Sequence, residues 1–245
     1  MDRNTRLTQV FIGLMFVAAV AGTAWAGWES HTLHGYYALA LLALSAVTSR
    51  MKVKLPGIDG NMSVNLPFLL TAVVSLSAIE AVAIASVATV VQCWPKPDAK
   101  FKPQQMVFNV SMMALASSVA SLVLNARWVS GPEWVSGATL PVLATLTLFA
   151  GQTMSVAAVV ALSQGEGKRV HRIWWNLAQL SFPYYVVSAG VTSMMQSAGH
   201  PTGWALALAV FPVMYGIHRS YRLYFGWIVE YLRPVGLSRG ASAGA

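Results

Sequence analysis

The sequence predicts an all-α, polytopic integral membrane helix bundle with about eight transmembrane helices and both termini in the cytoplasm. Three observations support this prediction. The 245 residues are 56% hydrophobic and only 10% charged, whereas a soluble globular domain carries about 25% charged residues. The apolar residues form long runs with no Lys, Asp or Glu near their centres. If these runs cross in alternation, fifteen of the sixteen Lys and Arg residues lie on one side, as the positive-inside rule predicts.

The apolar runs define the predicted spans, since a helix needs about 20 residues to cross a hydrocarbon core. They are, in chain order, 7–28, 35–49, 63–77, 79–94, 106–126, 139–163, 179–197 and 203–219. The first run follows two arginines, as a signal peptide would. Its removal would invert every later loop, so we expect a retained first helix.

Three of the predicted spans are short. The runs 35–49, 63–77 and 79–94 hold 15, 15 and 16 residues, or roughly 24 Å at most. Such segments thin the bilayer, extend into interfacial residues, or form half-helices buried inside the protein. The stretch before the third span is rich in turn formers, so we expect irregular backbone from about 55 to 64.

The chain is predicted to form a single transmembrane domain over residues 1–226 and a short cytoplasmic tail over 227–245. Within the domain, the segment 168–180 has apolar residues on one helical face and basic residues largely opposite. This pattern predicts an amphipathic interfacial helix that leads into the seventh span.

The predicted cytoplasmic face carries the basic side chains. Those expected to contact lipid headgroups or a protein partner are Arg50, Lys52, Lys54, Lys168, Arg169, Arg172, Arg219 and Arg222. The net charge of +8 follows from this one-sided distribution, so we expect membrane lipids and no nucleic acid as partners.

No catalytic constellation is present in the sequence, and we expect no catalytic residues and no enzymatic activity. Proton pumps, carboxylate-dependent ion-coupled transporters and intramembrane proteases need ionisable groups at membrane depth. The predicted spans have none at their centres. The GxSxG, P-loop and HExxH motifs are also missing.

Few residues suggest a metal or a cofactor, and the sequence requires none. Cys93 is the only cysteine, which excludes an internal disulfide and a cysteine cluster. His31 and His34 form an HxxH pair without a third ligand beside it, so a solvated pair is the simpler interpretation. His218 is a possible haem ligand that lacks a matched partner. We therefore predict no metal site and leave the cofactor unidentified.

Uncharged polar residues within the apolar runs are the candidate ligand-binding residues. They are Asn65, Asn109, Gln152, Tyr184 and Tyr185. In a bilayer such groups seek hydrogen-bond partners, so they either link helices or line a ligand pocket. Small residues, as in the run Ala114–Ala120, predict close helix packing and a tight bundle.

The order of several short motifs resembles a known family. The motifs are Val53-Lys-Leu-Pro-Gly57, Ser63-Val-Asn-Leu66, Val107-Phe-Asn-Val110, Ala161-Leu-Ser-Gln-Gly165, Trp174-Trp175, Phe182-Pro-Tyr-Tyr185 and Tyr221-Arg-Leu-Tyr224. Together they are similar to the membrane-associated sensor domains at the N-termini of bacterial HD-GYP and GGDEF signalling proteins. The resemblance implies sensing of a membrane or small-molecule cue. The cyclic-di-GMP output domain of that family is not matched, because only about twenty residues follow Tyr224.

We expect a multi-pass protein of a bacterial inner membrane that acts without catalysis. The first hypothesis is a sensor-type module that acts through a bound ligand or lipid and a protein partner on the cytoplasmic face. One alternative is an accessory subunit of a larger respiratory or photosynthetic membrane complex. Another is the small-molecule-binding subunit of a transporter, which predicts a closed pocket near Asn65, Asn109 and Gln152.

Overall fold

The computed structural model describes residues 3–30, 33–54, 61–95, 100–126, 139–165 and 169–197, and the single positions 212, 215, 216, 219, 220 and 223. In this part of the chain, seven helices and one short hairpin form a bundle. The predicted tail 227–245 and most of the predicted eighth span 203–219 lie outside the described residues.

A helix occupies the place of each predicted span from the first to the seventh. The helices are α1 (Arg3–Glu29), α2 (Gly35–Ser49), α3 (Leu66–Ser75), α4 (Ala78–Cys93), α5 (Pro103–Asn125), α6 (Thr139–Gln164) and α7 (Val170–Ser197). Three of them, α1, α5 and α6, are long and apolar enough to cross a membrane. The described chain therefore has the architecture of a helical transmembrane bundle.

A short antiparallel hairpin separates α2 from α3. Its strands are β1 (Lys52–Lys54) and β2 (Asn61–Ser63), and Lys52 lies opposite Ser63. The predicted irregular backbone from 55 to 64 is therefore wrong for 61–63, because these residues pair with the chain that leaves α2; residues 55–60 lie outside the described residues. The hydroxyl of Ser63 lies 3.1 Å from Oε1 of Gln92 near the end of α4. We call this end of the bundle the hairpin end.

Helix α3 is too short to cross a bilayer. Its ten residues extend about 15 Å, half of a hydrocarbon core. All residues from Leu66 to Val73 are buried. The backbone N–H of Leu66 donates to the Tyr184 hydroxyl at 3.1 Å, and the Thr192 hydroxyl donates to the Pro67 carbonyl at 3.2 Å. The first turn of this half-helix is therefore tied to side chains of α7.

Helix α7 is longer than predicted. Residues 170–180 of the predicted amphipathic segment and the predicted span 179–197 form one continuous helix of 28 residues, with Pro183 inside it. Its first turns expose Arg172 and Trp175, whereas Leu177 and Ala178 are buried. The polar and apolar faces thus belong to the first half of a single helix.

Helix α5 is central and packs against α1, α4 and α6. Its buried face consists largely of small residues such as Ala116 and Ser118. A Cβ placed on Gly22 of α1 would lie 3.1 Å from Ser118 Cβ, and one on Gly151 of α6 would lie 3.3 Å from Ala116 Cβ. The small residues allow three helices to approach closely.

The end opposite the hairpin is joined by polar contacts around the start of α4. The Glu80 carboxylate accepts hydrogen bonds from the backbone N–H and the hydroxyl of Ser77, at 3.1 and 2.7 Å. It also accepts the backbone N–H of His34 at 2.6 Å and lies 3.1 Å from His34 Nδ1. The Ser30 hydroxyl accepts the N–H of Ile79 at 3.1 Å. These contacts bind the ends of α1, α2 and α4 together.

Helix α6 ends at a glycine that a side chain cannot replace without strain. Gly165 has a φ of +70°, and a Cβ there would lie 2.5 Å from Asn4 Nδ2. We expect Gly165→Ala to lower the free energy of unfolding by about 1–2 kcal/mol, as measured by SDS titration in mild detergent.

The matched control is Gly190→Ala in α7, where a Cβ meets nothing within 4 Å. It should leave stability unchanged or raise it by up to about 1 kcal/mol, because alanine is the better helix former. Equal losses of stability in the two variants would contradict the left-handed backbone conformation of Gly165 at the end of α6.

Candidate functional site

A cavity of about 420 Å³ lies inside the bundle, toward the hairpin end. Residues of β2 and of α1, α3, α4, α5, α6 and α7 contribute to its wall. Its volume lies within the range of about 300–1,000 Å³ that is typical of small-molecule sites. The bundle is therefore not packed solid at this point.

All five candidate ligand-binding residues line this cavity. Asn65 precedes α3, Asn109 belongs to the first half of α5, Gln152 lies at the middle of α6, and Tyr184 and Tyr185 lie at the middle of α7. They are distributed over four helical segments and up to 120 positions of sequence. Only the tertiary fold brings them into one wall.

Several lining residues were not singled out from the sequence. The polar ones are Ser63, Thr89, Gln92, Gln104, Gln105, Thr153 and Ser181. Most lie near the ends of apolar runs, where polar residues are ordinary. The paired glutamines at the start of α5 were the one sequence signal for these polar lining residues, because they are uncharged and lie beside the cluster of lysines at 96–102.

The described residues that line the cavity are uncharged, and about half of them are apolar. The apolar lining residues are Ile12, Leu66, Leu69, Phe108, Met112, Met113, Val156, Val159, Val160 and Leu177. None of the described residues that line the cavity is acidic, basic or a histidine. A charged ligand would lose its hydration here without a counter-ion, so the wall favours an uncharged molecule.

A polar pair connects α6 and α7 within the wall. The Tyr185 hydroxyl donates to Gln152 Oε1 at 2.7 Å. Gln152 Nε2 is buried and has no hydrogen-bond partner in the described part of the chain. A buried amide N–H without an acceptor costs about 1–3 kcal/mol. Gln152 lines the cavity, so an acceptor on a bound molecule that reaches this N–H would satisfy it.

A second amide is oriented in the same way. The Ser63 hydroxyl donates to Asn65 Oδ1 at 2.7 Å. Asn65 is the N-cap residue of α3 but makes no side-chain capping bond. Its oxygen is thus engaged by Ser63, while its Nδ2 makes no hydrogen bond to another described residue. The same serine hydroxyl lies 3.1 Å from Gln92 Oε1, but its single proton is used at the shorter contact.

Neighbouring contacts hold the lining side chains in place. Trp174 Nε1 donates to the Thr153 hydroxyl at 3.1 Å, and Asn109 Nδ2 donates to Cys93 Sγ at 3.3 Å. The ring of Phe149 packs edge-on against Tyr185, with a centroid distance of 5.0 Å. These contacts restrict the rotamers of Thr153, Asn109 and Tyr185.

The predicted basic contact residues are only partly described. Arg50 is exposed, and its Nη1 donates to the carbonyls of Val91 and Trp94 at 3.2 Å each, at the end of α4. Arg169, Arg172 and Arg219 are exposed, and Lys52 is half-buried. The side chains of Lys54, Lys168 and Arg222 lie outside the described residues.

The histidine pair is only half described, because His31 lies outside the described residues. His34 contacts Glu80 at the end opposite the cavity. Within the described ranges, no three His, Cys, Asp or Glu residues are grouped as a metal site would require.

Comparisons of the chain with protein family models, with curated proteins and with solved structures gave no match. The geometry of the cavity is therefore the main basis for a functional proposal.

Proposed function

We propose that this chain is a non-enzymatic, sensor-type membrane protein that binds an uncharged small molecule or lipid within the bundle. It is a multi-pass protein of a bacterial inner membrane, with eight membrane segments, of which α3 is too short to cross by itself, and with both termini in the cytoplasm. The 420 Å³ cavity with its uncharged wall is the observation that supports this proposal. The motif order that resembles bacterial sensor domains adds independent support.

The hairpin end is the surface through which binding acts on a protein partner. Ser63 of β2 lines the cavity, and the same hairpin follows Arg50, whose guanidinium holds the end of α4. A ligand that contacts Ser63 or Asn65 alters the contacts of the hairpin. The exposed arginines at this end then present the change to a cytoplasmic partner.

The test is whether a molecule from the host membrane co-purifies with the protein and depends on the cavity. Val156 of α6 lines the cavity, and Val142 of the same helix is 47% exposed and does not line it. We expect Val156→Phe to reduce the co-purified molecule by about 10-fold or more, because the larger ring fills the space. Val142→Phe should leave the amount unchanged.

The measurement is mass spectrometry of small molecules and lipids extracted from equal amounts of protein purified in mild detergent. Equal recovery of the molecule from wild type and Val156→Phe would overturn the proposal, and so would the absence of any specific molecule enriched with the wild-type protein. Circular dichroism of both variants checks that each retains its helical content.

A transporter subunit is the second candidate, because it needs the same cavity. The two functions differ in what happens to the ligand. A binding subunit releases the molecule on the other side of the membrane when its partner transporter is present, whereas a sensor retains it. Uptake of the co-purified molecule into vesicles that contain the chain and its pulled-down partners would favour the transporter.

A further inference from the structure

The orientation of two amides in the cavity wall defines the kind of ligand that fits. Asn65 and Gln152 both have their side-chain oxygen occupied by a hydroxyl, from Ser63 and from Tyr185. In both residues the nitrogen is the amide atom that makes no hydrogen bond to another described residue. Gln152 Nε2 is fully buried and without an acceptor among the described residues. The polar part of the wall therefore offers donors at these two positions.

The rest of the wall restricts the ligand further. Ten of its residues, including Phe108, are apolar; Tyr184 and Tyr185 add two further rings, and the remaining side chains are polar and uncharged. No charged side chain of the described chain lines it, so an ionised ligand would be desolvated without compensation. A fully apolar molecule would leave Gln152 Nε2 without an acceptor, at the cost of a missing hydrogen bond.

We infer that the cavity binds an uncharged, mainly apolar molecule with carbonyl-type acceptors, which accept hydrogen bonds from Gln152 Nε2 and Asn65 Nδ2. This inference rests on the proposed ligand-binding function and adds the chemical class of the ligand. A quinone ring has these properties: it is neutral, flat and apolar, and it carries carbonyl oxygens at its edge.

The test uses three probes with the same ring system and the full-length protein in lipid nanodiscs. The carbonyl probe is 2,3-dimethyl-1,4-naphthoquinone, whose methyl groups block addition of the Cys93 thiol. The hydrocarbon probe is 2,3-dimethylnaphthalene, and the charged probe is 2,3-dimethyl-1,4-naphthoquinone-6-sulfonate, which keeps both methyl groups and carries its charge on the other ring. Kd is measured by equilibrium dialysis, with protein-free nanodiscs to subtract partition into lipid. We expect the carbonyl probe to bind about 10-fold more tightly than each of the other two.

Two variants separate recognition from stability. Gln152→Met keeps the length of the side chain and removes the amide, and Asn65→Leu does the same at the other position. Each should raise the Kd of the carbonyl probe by about 5- to 10-fold and leave the Kd of the hydrocarbon probe unchanged. A variant that only destabilises the fold would raise the Kd of both probes equally. If neither variant folds, the order of the three Kd values for the wild-type protein still tests the ligand class.

A failure of the inferred ligand class can be distinguished from a failure of the proposed function. Equal binding of the carbonyl and hydrocarbon probes, tighter binding of the sulfonate, or no binding of any probe would overturn the ligand class. The cavity would remain a binding site if Val156→Phe still lost the co-purified molecule. Conversely, probes that bind wild type and Val156→Phe equally lie outside the cavity, which would overturn the ligand class. Equal recovery of the co-purified molecule from wild type and Val156→Phe would overturn the proposed function as well.

Discussion

Replacement of Gly22 by leucine is expected to lower the free energy of unfolding by about 3 kcal/mol. A Cβ on Gly22 would already lie 3.1 Å from both Cβ and Oγ of Ser118. The remaining atoms of a leucine have no room between α1 and α5, so the two helices must separate. The change is measured by SDS titration, followed by circular dichroism, in mild detergent.

Gly13→Leu is the matched control, because Gly13 lies on the same helix and a Cβ there meets nothing within 4 Å. It should leave stability unchanged or raise it by up to about 1 kcal/mol, because leucine is a better helix former than glycine. If both variants lost the same stability, the close contact between α1 and α5 at Gly22 would be wrong.

The second large effect is expected for Glu80→Ala, which should lower the free energy of unfolding by about 2–3 kcal/mol. The carboxylate is 10% exposed and joins Ser77 to His34 through contacts of 2.6–3.1 Å. Its removal leaves the N–H groups of Ser77 and His34 without their acceptor and removes the Glu80 half of the capping box at the start of α4. The same SDS titration measures the loss.

Glu29→Ala provides the comparison, since Glu29 is an exposed acid at the end of α1. Its replacement should have an effect below about 0.5 kcal/mol. A stability loss at Glu80 no larger than that at Glu29 would show that the contacts around the start of α4 do not hold the bundle together.

The positions of the helices were largely predictable, because long apolar runs in a membrane protein have few other structures available. The predicted run 35–49 coincides with α2, and 79–94 differs from α4 by one residue at each end. Helix α3 was predicted as 63–77 and is shorter at both ends. Pro67 in its first turn is a local signal for this start, but the contacts that hold the turn come from Tyr184 and Thr192, more than a hundred residues away.

The hairpin was missed for a related reason. Strands of three residues are too short to show the alternation that identifies a strand. The turn formers between them indicated only a break in the helix. The long-range contacts of Ser63 and Arg50 place the two strands.

The candidate site was partly predictable. Asn65, Asn109 and Gln152 stood out because an amide within an apolar run is costly without a partner. Gln92 and Gln104 did not stand out, because they lie near the ends of their helices. The assignment of donors and acceptors in the wall depends on Ser63 and Tyr185, and only the tertiary structure shows which amide atoms these hydroxyls occupy.

The half-helix α3 also constrains the order of events during synthesis. The N–H of Leu66 and the carbonyl of Pro67 find their side-chain partners on α7, 118 and 125 positions later in the chain. Until the ribosome has made α7, the hairpin and α3 have no partner for these groups within the bundle. Chains that stop before residue 170 therefore expose an unfinished segment, and they should be preferred substrates of membrane proteases compared with the full-length protein.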